Sequence, residues 1–523
     1  MPDETCGAFD GVPPFDRNSL RRFLVGVDVA PRKMTATEVE KLRDPFASLL
    51  LSRGKIPRTG EEVIKEIKAA ASKSSPLRTQ RSFVVGEGSQ LPASQQTANV
   101  ARGMRFLVTL GAGQQGPDLF LSAGDPRQAG RVEVMAWDPR AGGFNYYRST
   151  GNAMWMFGGN SRDALRDPTR GKGAFESHRS GALLMKELKT PWINWHSPAA
   201  NVPETVFRSG DARRKHPWFT EKDPGGGLAF EFEAARPAMS RWARERFRKL
   251  REKGGPVTRP RMILEQIVDT PTANVVTTHI ESRALVDGDQ LDIPATVFVD
   301  SEALAGRLGL AAPPDFFNVS GKIYAKCLDK FDVRLEDGNG FRQKGDTHFC
   351  FLALERAFED QVVLSEAIDI GLLSERLAAC LLMVDPWNPI FSERRRALLT
   401  HVPATATIED GKSSFSAQMA RAILKAAKDG PAGTPEAEFA ERWQVGANFK
   451  KPFNRLLNRY YRAIKTTART QAGFESYFRL TEERRQRFKD DNPIAQEFPL
   501  LLPRTNIPRA SRRMQADGTV VES

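Results

Sequence analysis

The chain has 523 residues, 40% hydrophobic and 9% aromatic, enough apolar material for a folded protein and too much length for one compact core, so roughly two to four domains are expected. Lysine and arginine number 77 against 64 aspartate and glutamate, and the resulting net charge of +13 permits attraction to polyanions without demanding it, so local clustering decides. Cys6, Cys327, Cys350 and Cys380 sit at spacings unlike a CxxC or zinc-ribbon pattern, which excludes a disulfide framework and fits a reducing compartment.

The N-terminus, MPDETCGAFDG, is acidic and lacks the charged-then-apolar order of a secretory signal, and no apolar run is long enough to span a bilayer. A cytoplasmic protein with no membrane partner is expected, and Asn318-Val319-Ser320 then carries no weight as a glycosylation site.

Residues 1–98 read as an N-terminal helical arm with polar linkers. Thr35 with Glu38, and Thr59 with Glu62, fit capping boxes, the second opening a helix with a Val63, Ile64, Ile67 stripe. From Met104 the period changes to two. MRFLVTL, DLFLS, RVEVMAWD and FNYYR are short strand candidates, the last two joined as a hairpin by Asp138–Gly143, and MWMF at 154–157 continues the series.

The stretch from Gly173 to Ser197 carries His178 and His196, two of six histidines, at either end of a short helix and a Trp-rich strand. The helix, capped by Ser180, stops before Thr190-Pro191 because a residue preceding proline is pushed out of the helical region. On the strand, Trp192, Asn194 and His196 share one face. A basic helical segment follows at 240–261, and strand character returns in ILEQIVD, NVVTTHIES, ATVFVD, KIYAKCLDKFDVRLED and THFCFLAL.

Beyond about Glu355 the pattern is helical: Ser374 to Val384, Ser392 to Leu399, Ser414 to Lys428, and a run from Glu438 to Lys489 broken at Pro452 and Gly473. Residues 490–523 are Pro- and Arg-rich and read as an extended tail. The fold class expected is α+β: an antiparallel β-rich core domain over 99–355, flanked by the N-terminal helical arm and a C-terminal helical domain over 356–489.

The most specific chemical signal is Thr277-Thr278-His279-Ile280-Glu281. On a strand His279 and Glu281 point to one face and can both reach a single cation. His348 in THFCFLAL, or His178 or His196, would complete a two-His-one-carboxylate set, which leaves coordination positions open for oxygen and substrate. The spacing is similar to that of non-haem Fe(II) oxygenases in that pattern alone. It points to a metal-dependent oxidoreductase using iron or another transition metal on a small-molecule substrate, with His279, Glu281 and His348 as catalytic residues and His178 and His196 as further ligands. The ordinary alternative is a hydrogen-bonded sheet histidine beside a Glu281–Arg283 pair. No CxxCH is present to attach a c-type haem, while a haem held through one histidine is compatible with the chain.

Four further signals, two histidines and two glycine-containing loops, are weaker. His216, in RRKHPWF, sits among charges and reads as exposed, and His401 sits near a helix end, where its cation would complement the dipole. Gly111–Gly116 matches GxGxxG, but Pro117-Asp118 leads into another strand rather than a helix, so it reads as a hairpin loop. ATIEDGKS at 406–413 matches a relaxed phosphate loop, with two carboxylates where a polyphosphate would sit, and a solvated loop is the alternative.

From Arg442 to Phe474 no acidic residue occurs, while Arg455, Arg459, Arg462, Lys465 and Arg469 recur at helical spacing with Phe453, Tyr460 and Tyr461 nearby. A basic stripe interleaved with aromatics is what phosphate contact plus base stacking needs. It supports the second functional expectation, a non-enzymatic polyanion- or nucleic-acid-binding protein. The bland reading is a solvated helix face opposite a Leu456, Leu457, Ile464 core face. The sequence carries no signal for the oligomeric state.

Overall fold

The computed structural model describes residues 20–88, 102–111, 113–150, 154–175, 210–220, 225–252, 256–257, 259–269, 273–276, 288–314, 316–336, 342–344, 353–491 and 504–522. The architecture is α+β, as expected. Two compact units divide the chain, one from Met1–Gly86, Gly103–Leu184 and Val206–Trp242, the other from Glu87–Arg102, Met185–Thr205 and Ala243–Ser523.

The first unit is organised by an eight-stranded mixed sheet in the order β2-β1-β8-β7-β6-β5-β4-β3. Its strands are β1 (Leu20–Arg22), β2 (Arg32–Lys33), β3 (Gln80–Gly88), β4 (Arg102–Leu110), β5 (Leu119–Ala123), β6 (Val132–Asp138), β7 (Gly143–Ser149) and β8 (Trp155–Asn160). The predicted strands between 104 and 157 are all present and pair antiparallel in sequence order. The region before residue 98 adds β1, parallel to β8, and the edge strands β2 and β3, alongside its capped helices. Thr35 and Glu38 form the predicted reciprocal capping box, and the Thr59 side chain accepts from the Glu62 amide.

Every residue of β5 is buried, because both faces of the sheet are covered. Register places Phe120, Met135 and Tyr146 on one face and Leu121, Val134 and Tyr147 on the other. On the first face Phe230 meets Phe83 and Phe120 edge-on at 5.1 and 6.1 Å. On the second, Phe46 meets Tyr147 and Trp155 at 5.1 and 4.7 Å, and the Trp155 indole donates to the Pro57 carbonyl. Asp44 is completely buried there and accepts from the Ala47 amide, the Asn145 amide group and the Tyr147 hydroxyl. The Asp138 carboxylate accepts the Arg140 and Ala141 amides, which fixes the predicted β6–β7 turn.

The second unit is mostly helical, with a core that includes Leu364, Leu377, Leu381, Ile423, Leu457, Ile464, Phe474 and Phe478. Ser374 and Ser392 cap helices Glu375–Leu382 and Glu393–Ala397, and the third predicted helix is Phe415–Asp429. The long run is three helices, Pro435–Gln444, Lys450–Thr467 and Gln471–Asp491. The expected breaks at Pro452 and Gly473 are displaced, since both residues lie in the first turn of the following helix. A proline there gives up only an amide that has no partner within the helix.

Three predicted strands are not strands. ILEQIVD belongs to helix Pro260–Val268, with proline in its first turn and Met262, Ile263, Leu264, Ile267 and Val268 buried. KIYAKCLDK is helix Gly321–Lys330, burying Tyr324, Cys327 and Leu328, and only its continuation Arg334–Glu336 is a strand. ATVFVD opens as a short 3-10 turn over Ala295–Val297. The described tail, 504–522, is held in place: Asn388 Oδ1 accepts from the Met514 amide while Asn388 Nδ2 donates to the Met514 carbonyl, and Arg512–Met514 pairs with Val520–Glu522.

Arginines knit the interior of this unit. Arg395, 2% exposed, donates to the carbonyls of Val268, Val384, Asp385, Asn388 and Pro389. Arg356 is equally buried and pairs with Asp300 while donating to the carbonyls of Gln266 and Ile267.

Candidate nucleic-acid interface

The helix Lys450–Thr467 is amphipathic because its apolar residues recur at three- and four-residue spacing: Phe453, Leu457, Tyr460, Tyr461 and Ile464 are buried. Two hydroxyls pin that face. Tyr460 donates to the Phe298 carbonyl and Tyr461 to the Ala311 carbonyl, each at 3.0 Å, and burial raises both phenols well above their ordinary range. Asn454 adds a further tie by accepting the Ala311 amide at 2.7 Å.

The opposite face carries Lys451, Arg455, Asn458, Arg459, Arg462 and Lys465, all exposed, followed by exposed Arg469 just beyond the helix. At 3.6 residues per turn these helical positions fall within about 120° of the circumference, and Lys451 to Lys465 spans about 21 Å. Ion pairing in this stretch stops at its edges. Arg442 pairs with Glu438 and lies 3.8 Å from Glu441, and Lys450 lies 4.0 Å from Glu375. Among the described residues, no carboxylate is paired with Lys451, Arg455, Arg459, Arg462, Lys465 or Arg469.

Beside this face runs an open groove of about 620 Å³, walled by Val445, Pro452 and Leu456, with Arg455, Asn458, Arg459 and Arg462 along it. Arg442 also lines the groove, with its side chain tied to the Met383 carbonyl and paired with Glu438. The other three guanidiniums, Arg455, Arg459 and Arg462, have no paired carboxylate among the described residues, and like charges gathered on a concave surface attract anions.

The aromatic half of the expectation is corrected. Phe453, Tyr460 and Tyr461 are core residues, so none offers a ring for base stacking. Phe449 is buried against Phe453, and Trp443 is stacked on Phe439 with the Arg376 guanidinium 3.8 Å from its ring centre.

The metal-ligand expectation falls on His178, His196, His279, Glu281 and His348, all outside the described residues, as is Cys350. Among the described residues, no group of three or more His, Cys, Asp or Glu side chains is arranged to hold a metal ion. His216, expected to be exposed, is 1% exposed, because Phe106 and Trp218 enclose its ring. Its Nδ1 accepts the Trp218 amide, so Nε2 carries the hydrogen and donates to Glu61 Oε1 at 3.2 Å. His401 follows helix Glu393–Ala397 on a short 3-10 turn and contacts Glu436 Oε1 at 3.0 Å.

The two loop motifs are hairpins. Gly111–Gly116 joins the antiparallel pair β4 and β5, with no helix after it to present free amides. In the 406–413 stretch Glu409 and Lys412 exchange backbone hydrogen bonds around Asp410 (φ 48°) and Gly411 (φ 70°), a tight two-residue turn that no longer has those amides to offer a phosphate. The basic face was legible from charge spacing, whereas the groove beside it had no sequence signal, since Val445 and Arg442 reach it from another helix.

No helix among the described residues is long and apolar enough to cross a membrane. No known protein family, curated protein or solved structure matches the chain.

Proposed function

We propose that this protein binds a nucleic-acid polyanion through the exposed face of helix Lys450–Thr467 and the groove beside it. The observation that carries the reading is a row of exposed cations, Lys451 through Lys465, with no paired carboxylate among the described residues. Phosphates would replace the small counterions held near such a row, and their release drives association. The buried free thiols of Cys327 and Cys380 suit the reducing, cytoplasmic setting that belongs to the same proposal.

The test is retention on immobilised heparin and binding to mixed nucleic acid across a salt series. Wild-type protein should lose affinity steeply with salt, and the triple variant Arg455→Glu, Arg459→Glu, Arg462→Glu should elute at markedly lower salt with its fold intact, since these side chains support no core contact. Equal retention of variant and wild type sinks the proposal. A metal-dependent oxidoreductase centred on His279, Glu281 and His348 stands as a separate proposal. Its check is elemental analysis of protein expressed with iron, and loss of bound metal in His279→Ala and Glu281→Ala.

A further inference from the structure

Resting on the polyanion-binding reading, we infer that the ligand is double-stranded nucleic acid, held through its phosphates alone and without regard to base sequence. Proteins that hold single strands join a basic groove to exposed aromatic rings, and each stacked base contributes on the order of 1–3 kcal/mol. This face has no such ring. Its aromatics point inward, with the hydroxyls of Tyr460 and Tyr461 bonded to main-chain carbonyls. The large apolar side chains that stand exposed among the described residues are Val27, Val29 and Phe232, all in the other unit.

Beside the cations Val445, Pro452 and Leu456 offer an aliphatic wall suited to sugar edges, and Phe453, which also borders the groove, is 2% exposed and so presents no open ring face to a base. A single strand laid here would lose conformational freedom without that compensation, whereas a duplex is already ordered. Charge density points the same way. A duplex carries one phosphate per roughly 1.7 Å of axis, twice that of either strand alone, and a straight 21 Å row of cations runs alongside roughly six base pairs.

Base readout is disfavoured by the same geometry. The cationic face shares a concavity with Val445 and Arg442, so in this inference it meets the phosphate backbone in place of inserting alone into a major groove about 12 Å wide. Asn458 is the residue on this face with a side chain suited to reading adenine. If it touches phosphate alone, removing it acts equally on duplexes of different sequence.

The experiment uses the full chain and fluorescence anisotropy with two unrelated 20-base-pair duplexes (about two turns, ample for the row) and their separated strands. Expected are duplex affinities that agree with each other and exceed those of both single strands. For about four phosphates engaged, the slope of log affinity against log salt should be near −3.6, or roughly a hundredfold loss between 50 and 200 mM. Arg459→Glu with Arg462→Glu should weaken both duplexes equally, and any effect of Asn458→Ala should be the same factor on both.

Single strands that bind as tightly as the duplexes, a clear preference between the duplexes, or a loss in Asn458→Ala confined to one duplex would overturn the duplex inference while leaving polyanion binding intact. Absence of salt-dependent binding to any of the probes would instead remove the underlying reading, and the inference with it.

Discussion

Replacing Arg395 with methionine should destabilise the helical unit by about 3–5 kcal/mol. The side chain is 2% exposed and bonds five carbonyls, from Val384 at 3.3 Å to Pro389 at 2.6 Å. A buried carbonyl stripped of its donor costs about 1–3 kcal/mol, so five set a ceiling of roughly 5–15 kcal/mol. Against that, the variant no longer has to take a guanidinium out of water, a penalty of several kcal/mol, which brings the net loss down to the stated range. Arg395→Lys should recover part of it, because an ammonium has three donors in place of the five in a guanidinium fork. Urea unfolding followed by helical circular dichroism, with the slope checked between variants, measures the difference. A methionine variant within about 1 kcal/mol of wild type would refute the claim that these carbonyls depend on Arg395.

Burial pushes the Asp44 carboxyl from its ordinary 3.8 up to about 6. The unfolded chain therefore releases this proton first, so the stability linked to Asp44 is complete below about pH 4 and declines through pH 6, by on the order of 3 kcal/mol. Urea midpoints from pH 4 to 7 should show that decline in wild type and a flatter profile in Asp44→Asn, and matching profiles would refute it. Burial acts on His216 with the opposite sign, holding it below its ordinary 6.5, so its contribution is present above that pH and is lost as pH falls. Its imidazole resonances should accordingly titrate below 6.5, and a midpoint at or above that value would contradict the buried neutral ring. Gly371 has φ +77° and an added Cβ would lie 1.8 Å from the Gly411 carbonyl oxygen, whereas Gly411, at φ +70°, faces open space. Gly411→Ala should cost about 1–2 kcal/mol and Gly371→Ala about 3 kcal/mol or more in thermal unfolding, and equal costs would show that the contact relaxes.

The sheet was legible because β4 to β8 follow one another as neighbours, so local alternation and short turns carry most of the topology. The parallel addition of β1 beside β8 was not, since Leu20–Arg22 is three residues long and its partner lies far along the chain. Among the misread strands, Ile263, Leu264, Ile267 and Val268 recur at helical spacing, but seven of the nine residues of helix Pro260–Val268 are buried and its polar side is reduced to Arg261 and Glu265, so the apolar run reads as a strand. Helix Gly321–Lys330 keeps an exposed polar side at Lys322, Lys326 and Asp329, so its helical period was present in the sequence. At the candidate site the charges were legible from their mutual spacing. The direction of the tyrosines was not, because a tyrosine suits a surface or a core equally. Tyr460 and Tyr461 are decided by carbonyl acceptors 162 and 150 residues earlier in the chain.

The same residue type does two opposite things in the helical unit, and that bears on how a net charge of +13 should be read. Arg356 and Arg395 are charged yet invisible from outside, each enclosed by carbonyls or by a carboxylate, and they contribute to cohesion alone. Arg455, Arg459 and Arg462 support no fold contact beyond one helical-turn bond from Arg462 to the Asn458 carbonyl. Their charges act on whatever approaches from solvent. A row of cations that stabilises nothing within the chain, and repels itself at helical spacing by a few tenths of a kcal/mol per pair, lowers stability slightly for no internal return. In the proposed complex a phosphate backbone lying along the row would remove that repulsion.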